Sequence, residues 1–514
     1  MKTNILKYTL SLLILVMMAV GCTKDFDEIN TDPNLPKEVP TVNLIGTAER
    51  YLTDDIFDVW FSGRQGLLWS QYWAQRNYTE EDRFLIRQTT NNSYFRLIYT
   101  DMMDLQQIIN IASDPIKKGE IDAKYGDATG QIAVANILKS YVFQLLASTY
   151  GDIPYEEAFD AINNPTPAYS TQKVIYMDLF TKLKAAADYL QAYDRGVPIF
   201  TSGDLMYNGD PAKWAKFANS LRLKLAIRLT DVTDADLIAV RDSAILQASD
   251  KAFTSNADNA QITYLGDGDS NAPMYDGFYT ERRNDFVPTA NFIDLLKGIN
   301  DTLNNKTNPF GGIVDPRLPI WLPLNKAGIY RGMPYGLVNQ YASALRGTVA
   351  NIYNAQPVYL QADATVSWMD YSEVCFILSE LNGWDQSKYT EGVRASLERW
   401  GAEGADEFIA ALPAANEETV LTQKYIALYM NGYEAWAEYR RTGYPKSIIQ
   451  VGELTGPTFS GEAVVFDAGP EGLNEIATRL TYPYQEYSIN RANVEAAAIN
   501  IGGDKFDTKL IWDK

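Results

Sequence analysis

Two cysteines, Cys22 and Cys375, are the only thiols in this 514-residue sequence, and they sit in opposite surroundings. Cys22 closes the run Ala19-Val20-Gly21-Cys22, which follows an apolar stretch from Leu10 to Val20 led by Lys2 and Lys7. A basic start, a short apolar run and small residues before a thiol form the layout of an export signal cut ahead of Cys22. The freed cysteine is then acylated and becomes the first mature residue. The run of about 11 apolar residues falls well short of the roughly 20 needed for a membrane-spanning helix. Cys375 lies instead inside Tyr371-Ser372-Glu373-Val374-Cys375-Phe376-Ile377-Leu378, an apolar helical stretch, and reads as a small buried hydrophobe. With Cys22 committed to lipid, the mature chain has no pair left for a disulfide.

Histidine is absent altogether. Ser-His-Asp triads, Cys-His dyads, HExxH zinc sites and imidazole acid/base chemistry are therefore excluded. Hydrolysis of a glycoside by two carboxylates survives, because it needs only Asp and Glu. With 65 acids in the chain, however, no pair is singled out by its spacing. Neither GxGxxG nor GxxxxGK[ST] occurs, so no phosphate cradle is indicated. Asp267, Asp269 and Asn271 in Asp267-Gly268-Asp269-Ser270-Asn271 supply hard oxygens and make a calcium candidate, but no Glu stands where an EF-hand needs it and a solvated turn is favoured. The net charge of −20 becomes −22 when residues 1–21 leave with Lys2 and Lys7, and so acidic a body repels phosphate backbones. Aromatic residues make up 12% of the chain, and a ring face suits sugar C–H groups while nearby amides and acids take the hydroxyls. Trp73, Tyr78, Tyr275, Phe278, Tyr279 and Trp321, at a helix end or in irregular segments, are the candidates for such a ligand platform.

The elements that would position these residues are mostly helical. Val134 to Leu146 places Val134, Leu138, Tyr141 and Leu145 on one face, and Lys213 to Leu229 repeats the pattern with Trp214, Phe217, Leu221 and Leu225. Similar periods predict helices over 44–54, 60–75, 94–112, 171–191, 234–247, 368–383, 391–400 and 417–441. Pairs of about 34 residues suggest stacked helical hairpins of the tetratricopeptide kind. Their clearest unit is Tyr371 to Trp400, broken at Gly383-Trp384-Asp385. Thr23 to Pro36, with four acids and two prolines and no helical period, predicts an extended tether. The expected organisation is a leader at 1–21, an acylated cysteine and acidic tether at 22–40, and one body at 41–514. Within that body the scaffold covers about 41–254 and 358–450. Loop-rich insertions with a few short strands cover about 255–357 and 451–482, and binding sites are commonly built on such insertions.

Several stretches carry a resemblance. Phe26 to Asn34, Tyr150-Gly151-Asp152-Ile153-Pro154-Tyr155, Arg283 to Thr289, Asp315-Pro316-Arg317-Leu318, Tyr330 to Gly336, Glu438 to Pro445 and Arg479 to Asn490 together resemble signatures of the SusD/RagB family, in family order. The anchor with its acidic tether is similar to that of surface lipoproteins of the Bacteroidetes. The resemblance implies a lipoprotein on the cell surface, held to the outer membrane, with a tetratricopeptide-like scaffold. It implies capture of oligosaccharides, or of peptides in some members, for delivery to a SusC-like TonB-dependent transporter. It further implies no enzymatic activity and no cofactor beyond the calcium candidate. A helical-repeat adaptor and a carboxylate-based glycosidase are the remaining alternatives.

Overall fold

Short polar side chains start the long helices. Asp127, Thr171, Asp210, Asp234, Asp385 and Asn416 each stand at an N-cap and accept a hydrogen bond from a backbone N–H of the first turn. Each such cap contributes about 1 kcal/mol. The structure, a computed structural model of the chain, describes residues 39–459, 462–469 and 472–513. The leader, Cys22 and nearly all of the acidic tether lie outside the described residues.

Ten helices carry the scaffold: α1 (Thr41–Ile56), α2 (Gln88–Ser113), α3 (Ala128–Tyr150), α4 (Gln172–Gln191), α5 (Pro211–Arg228), α6 (Ala235–Ala248), α7 (Tyr371–Leu381), α8 (Gln386–Arg399), α9 (Glu417–Ala427) and α10 (Gly432–Thr442). Helices adjacent in sequence pack on one another from α1 through α6 and again from α7 to α10, while α5 against α7 joins the two runs. This is the stacked-hairpin, tetratricopeptide-like arrangement the periodicity predicts. Among the described residues α3 alone is long and apolar enough to cross a membrane, yet nearly all of it is buried at the centre of the stack.

The α5–α7–α9–α10 junction is ionic as well as apolar. Lys224 reaches Glu373 at 3.1 Å and Glu434 at 3.3 Å; Arg228 pairs with Glu434 and with Glu438 at 3.4 Å. Lys424 lies 2.6 Å and Arg441 2.8 Å from Glu438, and Arg441 also meets Glu380 at 2.7 Å. Burial alone would raise Glu438, but Arg441, Lys424 and Arg228 hold it well below the carboxylate range. At Glu373 burial outweighs Lys224 and the carboxyl is raised. Cys375 is fully buried on α7, and burial pushes its thiol up to about 12, as befits an inert core residue.

Three helix expectations needed correction. The helix over 60–75 is instead a π-helix, Val59–Gly66, one more helical turn, and strand β1 (Trp73–Gln75), because that strand pairs antiparallel with β5 (Phe286–Pro288) from the insertion. The helix over 417–441 breaks between α9 and α10. There Gly432 lies so close to Gly66 that an added Cβ would stand 2.3 Å from the Gly66 carbonyl carbon. Trp368 belongs not to α7 but to β6 (Thr365–Met369), paired with β4 (Ala260–Thr263). Two further short hairpins, β2 (Ile153–Pro154) with β3 (Tyr169–Ser170) and β7 (Leu454–Phe459) with β8 (Glu462–Val465), complete the strands.

Candidate functional site

Two π-helical segments pack on each other where the insertion meets the scaffold, and π-helical turns recur at functional sites. The first, Val59–Gly66, is capped by Asp58, whose carboxylate accepts from the Phe61 N–H at 2.6 Å. The second is Asp276–Thr280. Gly277 allows the contact, since a Cβ there would fall 2.2 Å from Val59 Cγ1. Phe278, the next residue, turns inward against Trp73 and Phe286. Tyr279 turns outward and meets Tyr275 and Tyr353, each with ring centroids 5.1 Å away. Its hydroxyl donates to the Tyr353 carbonyl at 2.9 Å, and burial pushes it up to about 12. Tyr275, Tyr279 and Tyr353 are all half-buried, so each shows part of a ring to solvent, with Asn354 and Gln356 exposed beside them.

Glu281, just past the second π-helix, connects this aromatic surface to Trp60 in the first. The Trp60 indole N–H donates to Glu281 Oε2 at 2.7 Å. Arg283 and Arg64 lie 4.4 Å and 4.8 Å from the Trp60 ring centroid, a cation–π clamp that holds the indole in place. Next to Trp60 opens a cleft of about 450 Å³, reached from the end of α1 and the start of α2. Asp55, Asp58 and Glu281 supply its acids; Thr89, Thr90 and Ser93 supply its hydroxyls. Burial pushes Asp58 up to about 8. A partly exposed ring among carboxyl and hydroxyl groups can take an apolar face and polar groups of one small ligand together.

The structure divides the six platform candidates. Tyr275 and Tyr279 come together in the aromatic surface. Trp73, Phe278 and Trp321 do not belong to it, because each is fully buried. Trp73 donates to the Tyr429 hydroxyl at 3.1 Å, and Trp321 packs on Tyr429 at 4.7 Å and edge-on to Trp400 at 5.4 Å. The insertion folds down on α9, and its large rings fill the space between them. Tyr78 is exposed elsewhere, with its N–H on the Asn339 side chain and the Arg87 guanidinium 5.8 Å from its ring. Trp60, Glu281 and Tyr353 were missed by the sequence reading. Trp60 stands at the start of the helix that the period predicts over 60–75, and the acidic-basic run Glu281-Arg282-Arg283 close to the paired tyrosines is the signal in the sequence.

The calcium candidate forms a closed turn: Asp267 accepts from the Ser270 N–H at 2.9 Å, while Asn271 accepts from Gly268 N–H at 3.2 Å and donates to Asp276 at 3.0 Å. Among the described residues no group of three or more His, Cys, Asp or Glu is placed to hold a metal.

Comparison with known families decides what this architecture is. The family described as "Starch-binding associating with outer membrane" matches residues 33–456, and that described as "Susd and RagB outer membrane lipoprotein" matches residues 413–513. The chain belongs to the SusD-like family. This SusD-like protein is accordingly an outer-membrane lipoprotein. Its fold is similar to that of a chitin-binding protein (25% identity, covering 92% of this chain and 100% of that one, TM-score 0.73). It is also similar to a SusD homolog from Bacteroides uniformis (24%, 93% and 100%, 0.71) and to a chitin-binding SusD homolog from Flavobacterium johnsoniae (23%, 92% and 97%, 0.73). Comparison with curated proteins found no match.

The residues that carried the family resemblance tie the SusD-like fold together. Arg317 forks onto Asp315 at 2.9 and 2.6 Å and reaches Ser396 and Gln423. Arg479 binds the Tyr150 carbonyl at the end of α3, where Gly151 caps the helix, and pairs with Asp504 at 2.6 Å. Arg440 donates to the Ser148 and Thr478 carbonyls and lies 3.9 Å and 4.6 Å from the Trp436 and Trp512 rings. All three guanidiniums are buried.

Proposed function

We propose that this lipoprotein captures oligosaccharides at the cell surface and passes them to a SusC-like TonB-dependent transporter. The observation that carries the reading is the open aromatic surface of Tyr275, Tyr279 and Tyr353, together with the hydroxyl- and carboxyl-lined cleft at Trp60. The family description and the chitin-binding names of two structural relatives support a glycan as ligand. Rings, hydroxyls and carboxyls hold a sugar without a cofactor and without catalysis, so the protein is read as a binder and not as an enzyme. Acylation at Cys22 would anchor it, with the acidic tether as leash.

Titration of the mature protein with a glycan panel and a peptide mixture tests the ligand class. Saturable binding by an oligosaccharide, lost in Tyr279→Ala, is the expected result; binding by peptides alone would move the protein to the peptide-capturing alternative. Purification from native outer membrane should recover the transporter with it, and repeated recovery of the protein alone would overturn the partner.

A further inference from the structure

The cleft beside Trp60 is built from groups of one charge sign. Asp55 at the end of α1, Asp58 capping the first π-helix and Glu281 after the second all line it, and no Lys or Arg does. Its volume of about 450 Å³ falls in the roughly 300–1,000 Å³ range of small-molecule sites. Tyr94 of α2 lines it too and is only 4% exposed, yet its hydroxyl has no hydrogen-bond partner. Tyr94 lines the cleft together with Asp55 and Asp58. An unpaired buried hydroxyl costs free energy unless something in the cleft bonds to it.

The nearby cations have other commitments. Arg64 is paired with Glu81 and Asp285, and Arg283 lies over the Trp60 ring. Arg96, exposed on α2, acts on Asp55, while Asp101 on the same helix shares a hydrogen bond with it. Burial, backbone amides and Asp55 set the Asp58 carboxyl, which lacks a counter-charge. Along the rim, Thr89, Thr90 and Ser93 at the start of α2 supply hydroxyls.

We infer that this cleft takes a sugar carrying a protonated amine, a 2-amino-2-deoxy residue whose ammonium sits among Asp55, Asp58 and Glu281. The ammonium offers three donors, its charge draws the proton off the buried Asp58 on binding, and the charge-assisted bonds that result are about twice as strong as neutral ones. The sugar hydroxyls then meet the Thr and Ser rim and the Tyr94 hydroxyl. An N-acetylated sugar brings no charge, and a carboxylated sugar is repelled. A lysine side chain matches the acids alone and leaves the hydroxyl rim without partners.

The inference rests on the glycan-capture reading, and calorimetry with four probes separates the two. A glucosamine tetrasaccharide, its fully N-acetylated form, cellotetraose and tetralysine are titrated into the full mature protein and into Asp58→Asn and Glu281→Gln. Both replacements keep an oxygen for the Phe61 N–H and the Trp60 indole, so the fold is retained, which circular dichroism checks. The glucosamine oligomer should bind about tenfold more tightly than the other two sugars, and each variant should erase most of that preference. Equal binding of all three sugars, or a preference for the amine that survives in both variants, overturns the inference and leaves glycan capture standing. Tighter binding of tetralysine than of any sugar overturns both.

Discussion

The aromatic residues of this protein occupy two regions that composition cannot tell apart. In one, Trp73, Trp321, Phe292, Tyr425 and Tyr429 close against each other beside the buried charges of α5, α7, α9 and α10. In the other, Trp60, Tyr275, Tyr279 and Tyr353 are held at their edges by single hydrogen bonds and cation–π contacts and keep part of each ring exposed. The closed region pairs every ring with another ring and balances four buried cations against four acids. The open region leaves rings half-covered and Asp58 without a counter-charge. On the proposed reading, stability is concentrated in the first and recognition in the second, so a substitution should act on one property or the other according to its region.

The largest separation should come from Glu438. Glu438→Ala leaves Lys424 and Arg441 buried without their shared acid, and loss of one partner of such a network costs about 3–5 kcal/mol. Urea melts should show that loss with affinity per folded molecule unchanged; a variant of native stability would mean the network is held up by something else. Trp321→Ala follows closely, with an expected cost of about 3–5 kcal/mol from the cavity left among Phe292, Tyr429 and Trp400. A fall in ligand affinity with the melting temperature intact would place Trp321 in the binding surface after all.

Tyr279→Ala should do the reverse, lowering glycan affinity by about 0.5–1.5 kcal/mol with little change in melting temperature. Paired titrations and melts of Tyr279→Ala and Trp321→Ala therefore form a crossed test, and the comparison breaks if both lose the same property. The smallest effect is electrostatic. Unfolded Asp58 ionises near 3.9, whereas burial keeps the folded carboxyl protonated until about 8. Across that window the folded chain binds the extra proton, so Asp58 makes stability fall as pH rises. Asp58→Asn should flatten this slope, and denaturant melts between pH 5 and pH 8 that show equal slopes would contradict the assignment.

The scaffold was largely legible in the sequence because helix formation is a local property. Apolar spacing of three and four located α1 through α6 to within a few residues, apart from the earlier start of α2 and α3. The break between α9 and α10 was not legible. Its one local mark is the Asn431-Gly432 dipeptide after Met430 in the left-handed region, and the close approach of Gly432 to Gly66, far away in the chain, leaves no trace in the apolar period of 417–441. The same holds for β1, a strand only because β5 arrives beside it.

By itself the sequence determined the histidine-free chemistry, the acidic charge and the helical scaffold, since residue identity and short-range periodicity suffice for each. Tertiary structure alone decided which aromatic rings face outward. In an irregular segment no repeating period assigns a side chain to the core or to solvent, so Phe278 and Tyr279, neighbours in sequence, part company only when Gly277 seats the turn on Val59.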